Sequence, residues 1–287
     1  MIHWLKITDG YPLNIRATHN SRRKVFPRKI EFKPGMNILF GPNGCGKSSI
    51  INAIGANGMT VRGWSNMNFS PLRLFRDGKA DIRGFVKRTL GFGSEMEFDG
   101  PVYFHNDYEI RRFAGWSTAG SGIGSGTACA ESYLSEHMDN RLRSAGESEM
   151  AIQGATLSNI LSGRWAFNRE LIEADAEQKL NATTDLETAV CIKGQLDYAR
   201  ESWLKGGAPT LLLDEPELHL DFEIMDGLFT RLLPQFLSQG YQIIMATHYP
   251  FAPFLFKDAN IIGIDRDVEK FKKYVTELVT GKGEVKR

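Results

Sequence analysis

Cysteine is scarce and scattered. Cys45, Cys129 and Cys191 are the three in the chain, far apart and without a CxxC pair. That spacing excludes a disulfide scaffold and a cysteine-built zinc site, and it fits a reducing cytosol. Long apolar runs are missing as well, since no stretch approaches the ~18 residues of a membrane span. The opening residues, MIHWLKITDGYPLNIR, hold no basic segment leading into an extended apolar one, so no secretory leader is expected. The chain is expected to be soluble and cytoplasmic, with no membrane partner. Net charge is almost absent: 35 basic and 34 acidic side chains leave +1. Any affinity for nucleic acid must then come from a local patch. There is no repeat at a period of about 20–50 residues. No sustained heptads lie between Ser48 and Thr210, which excludes a long coiled-coil tether.

What remains is an ordinary globular composition, 42% hydrophobic and 24% charged over 287 residues, enough for a sizeable core. Strands are expected at Ile2–Thr8, Lys29–Phe32, Met36–Phe40, Pro101–His105, Thr210–Leu213, Gln242–Ala246 and Asn260–Ile264. Helices are expected at Ser48–Ile54, from near Gly146, over Leu186–Leu204 and over Phe222–Leu237. Strands alternating with helices imply a layered, mostly parallel α/β fold. Between Arg62 and Arg88, seven basic residues face two acids, with Trp64, Phe69, Phe75 and Phe85 interleaved. The stretch Gly115–Gly126 is rich in glycine and serine, as a mobile loop would be.

Two motifs carry chemistry. Gly41-Pro42-Asn43-Gly44-Cys45-Gly46-Lys47-Ser48, followed by Ser49, satisfies G-x-x-x-x-G-K-[ST] between an apolar strand and a helix. Its glycines let backbone N–H groups turn inward around a phosphate chain, and the helix N-terminus faces the same anion. Lys47 is expected to reach the β- and γ-phosphates of ATP, and Ser48 to supply a hydroxyl to Mg²⁺. The second motif is Thr210-Leu-Leu-Leu-Asp214-Glu215-Pro216-Glu217, a strand ending in an acid pair. Asp214 is expected to hold the Mg²⁺ shell and Glu215 to polarise the attacking water. This strand is expected to run beside the P-loop strand. A plainer account of the acids is a helix N-terminus, which favours negative charge. His248 follows the strand Gln242–Ala246 and is placed to contact a γ-phosphate, although a lone histidine after a strand is more often structural.

GPNGCGKSS, LLLDEPELHLD and MATH, in that order, resemble an ATP-binding-cassette ATPase head. DEPELHLD is similar to the SMC-like, RecF-like and OLD-like branch, not to transporter cassettes. The resemblance covers most of the chain and implies one P-loop ATPase domain over residues 1–287. Within it lie an inserted lobe at 62–130 and a signature and helical lobe at 143–205. It also implies an ATP-dependent homodimer in which each copy offers a Ser-x-Gly loop to the other's γ-phosphate. Ser144-Ala-Gly146-Glu147 fits that loop, and it also reads as a capping box. Leu161-Ser-Gly163 and Lys193-Gly-Gln195 are the rivals. Asp221 matches the loop that crosses the dimer interface, and His219 belongs to the same element. The polar sensing residue of the family, usually glutamine, has Asn106 as its candidate here.

The charged run Asp258, Asp265, Asp267 and Glu269 near the end resembles a solvated face more than a nuclease centre. The function implied is an ATPase that dimerises on ATP and acts on DNA or an effector protein, in repair or anti-phage defence. DNA would be met through Arg62–Arg88, unless that segment is a solvated lobe whose aromatics form its own small core. A slow, nucleotide-gated scaffold switching an effector is the alternative, and a transporter subunit a further one. Hydrolysis measured with and without duplex DNA separates the first two.

Overall fold

The computed structural model describes residues 1–10, 27–58, 75–76, 79–80, 83–84, 87, 91–105, 157, 161, 177–178, 180–203, 206–217, 220 and 222–280. Strands occupy Ile2–Asp9 (β1), Lys29–Glu31 (β2), Met36–Phe40 (β3), Phe75–Arg76 (β4), Lys79–Ala80 (β5), Gly93–Phe98 (β6), Val102–His105 (β7), Thr210–Asp214 (β8), Gln242–Thr247 (β9) and Asn260–Gly263 (β10). Helices occupy Lys47–Gly58 (α1), Leu186–Trp203 (α2), Phe222–Gly227 (α3), Leu233–Ser238 (α4), Ala252–Leu255 (α5) and Val268–Val279 (α6).

A five-stranded sheet in the order β10-β3-β9-β8-β7 forms the centre, and every neighbouring pair is parallel. Two of its inner strands, β3 and β9, are buried at every residue, the apolar stretches Ile38–Phe40 and Ile243–Ala246 being covered on both faces and the polar Asn37, Gln242 and Thr247 buried with them. The period of two then sorts their side chains. Ile38, Leu211, Leu213, Ile243 and Met245 pack on one face with Leu228, Phe229, Leu233 and Phe236 from the α3–α4 region. Leu39, Leu212, Ile244 and Ala246 point the other way, onto Ile50, Ile51 and Ile54 of α1.

Beyond α1 lies a second, antiparallel sheet in the order β2-β1-β6. It contributes Ile2, Leu5, Ile7 and Ile30 to the same cluster. A register shift between Ile2 and Trp4 lets residues three apart face one side, as a bulge does. The mostly parallel layered α/β fold is therefore present, and the antiparallel sheet is an addition that the sequence reading did not contain. Buried Gln242 ties the two sheets together. Its Oε1 accepts from the Ile2 N–H at 2.7 Å and the Thr210 hydroxyl at 2.8 Å. Its Nε2 donates to the Ile2 and Lys33 carbonyls, both at 2.9 Å.

Between α3 and α4 a π-helical turn spans Leu228–Leu232. Pro234 follows at once and has no N–H for the carbonyl four residues back, so the helical ladder is interrupted there. Among the described residues no helix is long and apolar enough to cross a membrane.

Candidate phosphate-binding site

β3 ends at Phe40, and the chain must then turn sharply into α1. Gly44 and Gly46 make that turn with φ of +72° and +99°, a region open to glycine at no steric cost. Gly41 is required for space instead, because a Cβ there would come within 2.1 Å of the Ile264 carbonyl oxygen. Cys45 is buried in the same loop, while Asn43 and Gly44 are exposed. Lys47, the first residue of α1, is only 3% exposed. Its ammonium donates to the Gly41 and Pro42 carbonyls at 3.0 and 3.2 Å, so a buried charge is hydrogen-bonded at the mouth of the loop.

The acid strand does not lie beside the P-loop strand. β9 runs between them, paired with β3 on one side and β8 on the other. The motifs meet all the same, because α1 packs across β9 toward β8 and starts at the carboxyl ends of the strands, where parallel α/β sheets bind ligands. The Ser48 hydroxyl donates to Asp214 Oδ1 at 3.0 Å. Glu215 adopts φ +49°, a left-handed conformation uncommon for a residue with a Cβ. Its N–H is held by the Ala246 carbonyl at 2.8 Å, and its Oε1 lies 4.0 Å from Lys47 Nζ and 3.5 Å from His248 Nδ1.

A hydroxyl beside a single carboxylate suits Mg²⁺, which takes one or two carboxylates and completes its octahedron with water and phosphate oxygens. Among the described residues no cluster of three or more His, Cys, Asp and Glu gathers as an all-protein metal site would. Ser48 and Asp214 are the pair that fits such an ion.

The sequence motifs left one member of this site without a role. Glu217 is 9% exposed. Its Oε1 accepts from the Thr247 hydroxyl at 2.5 Å and from the His248 N–H at 3.2 Å, and lies 3.8 Å from His248 Nδ1. Its Oε2 is buried with no hydrogen-bond partner among the described residues. The signal for it was already in DEPELHLD, a third acid placed where a strand has just ended.

Ser144, Gly146, Glu147, Asn106, His219 and Asp221 lie outside the described residues. The rival signature Lys193-Gly-Gln195 falls in the interior of α2. Interior backbone N–H groups are already bonded within the helix, so this segment does not offer the open helix start that a phosphate needs.

Two family models bracket these motifs. A model described as an AAA domain matches residues 19–59. A second AAA-domain model, whose description adds the AbiEii toxin and the Type IV TA system, matches residues 193–252. One covers the phosphate loop with α1, the other the acid strand, β9 and His248. These two matches make the chain similar to AAA-domain proteins over the phosphate loop and the acid strand. Among solved structures, a dimeric ATP-binding cassette in a post-hydrolysis state with ADP and Pi aligns over 93% of this head and 97% of its own chain, at 12% identity and a TM-score of 0.38. A nucleotide-free cassette from an ABC transporter aligns over 96% of each chain, at 13% identity and a TM-score of 0.36. A Clostridium perfringens cassette from an ABC transporter complex aligns over 98% of this head and 96% of its own chain, at 14% identity and a TM-score of 0.36. No curated protein matches the head.

Proposed function

We propose that the head binds ATP with Mg²⁺, hydrolyses it, and closes into a homodimer during the cycle, acting on DNA or an effector protein in repair or anti-phage defence. The observation that carries the chemistry is the 3.0 Å contact of Ser48 with Asp214, with Lys47, Glu215 and His248 gathered beside it. In this scheme Gly41, Pro42, Asn43, Gly44, Cys45, Gly46 and Ser49 cradle the phosphates, and Lys47 neutralises them. Ser48 and Asp214 hold the metal, Glu215 takes the proton of the attacking water, and His248 contacts the γ-phosphate. Ser144 and Gly146 would complete the partner's site, with Asp221 beside the interface. These dimer roles rest on the sequence resemblance.

DNA contact would fall to the basic segment Arg62–Arg88. Arg83 pairs with Glu95 at 3.4 Å, and Lys87 with Asp9 at 2.5 Å, so two of the basic side chains already have acids nearby. Exposed pairs of this kind are weak and yield readily to a phosphate. Steady-state ATP hydrolysis with and without duplex DNA tests the proposal. Turnover stimulated by DNA supports it, turnover indifferent to DNA favours an effector protein, and no turnover with ATP bound leaves a nucleotide-gated scaffold.

A further inference from the structure

The carboxyl ends of β8 and β9 are joined by a side chain to which the chemistry above gives no part. Glu217 reaches from the turn after β8 to the residues that end β9, where one oxygen receives both the Thr247 hydroxyl and the His248 N–H. Thr247 is fixed in turn, because its Oγ1 accepts the Tyr249 N–H at 3.0 Å. The main chain on both sides of His248 is thus anchored to one buried carboxylate. The imidazole itself is 39% exposed and stands between two acids, with Nδ1 3.5 Å from Glu215 and 3.8 Å from Glu217. A single ring N–H donates well to only one of two such acceptors, and both distances exceed those of a good hydrogen bond. A buried carboxylate oxygen without a partner is expensive to keep. Here Glu217 keeps a second, buried oxygen, Oε2, with no partner among the described residues, while its Oε1 lies 3.8 Å from the ring.

We propose that Glu217 is a positioning residue for His248: it fixes the histidine's main chain and competes with Glu215 for the ring N–H, so that the imidazole exchanges between two seats. This rests on the ATPase function proposed above. When the ring turns to Glu217, the carboxylate of Glu215 is free to accept a proton from water. When it turns to Glu215, that oxygen is engaged. A third acid after the strand thereby affects turnover without touching the nucleotide.

The test is a double-substitution cycle with a structural readout beside it. Glu217→Ala should lower kcat about tenfold or more while nucleotide Kd stays within about threefold, and Glu217→Gln, which retains an acceptor for Thr247 and the His248 N–H, should recover part of the loss. In a His248→Ala background, Glu217→Ala should change kcat by less than about twofold, because a residue acting through His248 has nothing left to act on. Equal losses in both backgrounds would overturn the proposal, since they would mark Glu217 as a general support of the fold. The second readout is the Nδ1 resonance of His248 in protein carrying ¹⁵N-labelled histidine, assigned by its disappearance in His248→Ala. It should move in Glu217→Gln and, separately, in Glu215→Gln. A resonance unmoved by Glu217→Gln also overturns the proposal. If the wild-type head hydrolyses no ATP, the functional proposal fails on that result alone, and the resonance still decides whether Glu217 holds His248. Should Glu217→Ala not fold, Glu217→Gln carries both measurements.

Discussion

Buried charge sets Lys47 and Glu217 apart from their neighbours. Lys47 keeps an ammonium at 3% exposure against two loop carbonyls, which accept two of its three N–H groups without cancelling its charge, and Glu215 Oε1 lies 4.0 Å away. A triphosphate supplies the charge it needs. Lys47→Ala should therefore abolish ATP binding, and fluorescent-nucleotide titration checks it; affinity left within about twofold of wild type would remove Lys47 from the phosphate site. Glu215 stores strain in its left-handed backbone, of the kind that collects at functional sites. Glu215→Gln preserves the shape and removes the base. Hydrolysis should fall by about 10²-fold or more while ATP is still bound, and light scattering with ATP should show dimer accumulating. Gln242 is the structural counterpart of these residues. Gln242→Ala takes from the Ile2 N–H and the Thr210 hydroxyl the acceptor they share, and takes one donor each from the Ile2 and Lys33 carbonyls, the latter keeping the Asn37 amide. The loss should be about 2–4 kcal/mol in denaturant unfolding, with no direct effect on the phosphate loop.

Elements were legible in the chain wherever one signal dominated. Ile38–Phe40 and Ile243–Ala246 are short apolar runs, and both lie in central strands. GPNGCGKS folds as a turn with Gly44 and Gly46 at positive φ that runs straight into α1. Strand order was less accessible, because nothing in TLLLDEPE states which neighbour it takes; β9 lies between it and β3. Gly93–Phe98 escaped notice although it alternates, with Met96 and Phe98 against the core and Glu97 exposed. A single half-buried strand gives a weak pattern, and its partner Ile2–Asp9 is bulged. The last helix, Val268–Val279, begins inside the charged run from Asp258 to Glu269. Asp267 caps it by accepting the Lys270 N–H at 3.1 Å, so the acid was partly a helix signal. Where β1 meets β6, Asp9 is held below the ordinary carboxylate range, first by the Lys87 ammonium and then by the Gly93 N–H. A folded value below the unfolded one gives stability that is complete above the unfolded value of about 3.9 and lost as pH falls through the lower folded value. Asp9→Asn should flatten that acid limb in denaturation measured from pH 5 to pH 2. An unchanged limb would show that Lys87 and Gly93 do not hold Asp9 in solution.

For the molecule as a whole, the proposed function offers DNA or an effector protein as the object of closure, and charge separates the two. The sequence counts an excess of five positive charges over Arg62–Arg88. Folding brings Asp9 and Glu95 from outside that segment to Lys87 and Arg83, so the excess felt by a duplex is smaller than the sequence count. Arg83 nevertheless remains 80% exposed and Lys87 59%, which leaves both within reach of a phosphate backbone. If DNA is the partner, binding should be indifferent to sequence and weaken steeply with salt, because each neutralised phosphate releases counterions. Replacing Arg83, Lys87 and Arg88 by Ala should flatten the slope of log K against log salt by up to about 3, close to 0.9 for each phosphate contact removed. ATP should tighten binding by holding two heads on one duplex, an avidity gain that needs no new contact, and Lys47→Ala protein should not show it. Fluorescence anisotropy at two salt concentrations, with and without ATP, measures all of this. Negligible and equal binding by the wild-type and triple-substituted heads would take DNA off the list and leave an effector protein as the object of closure.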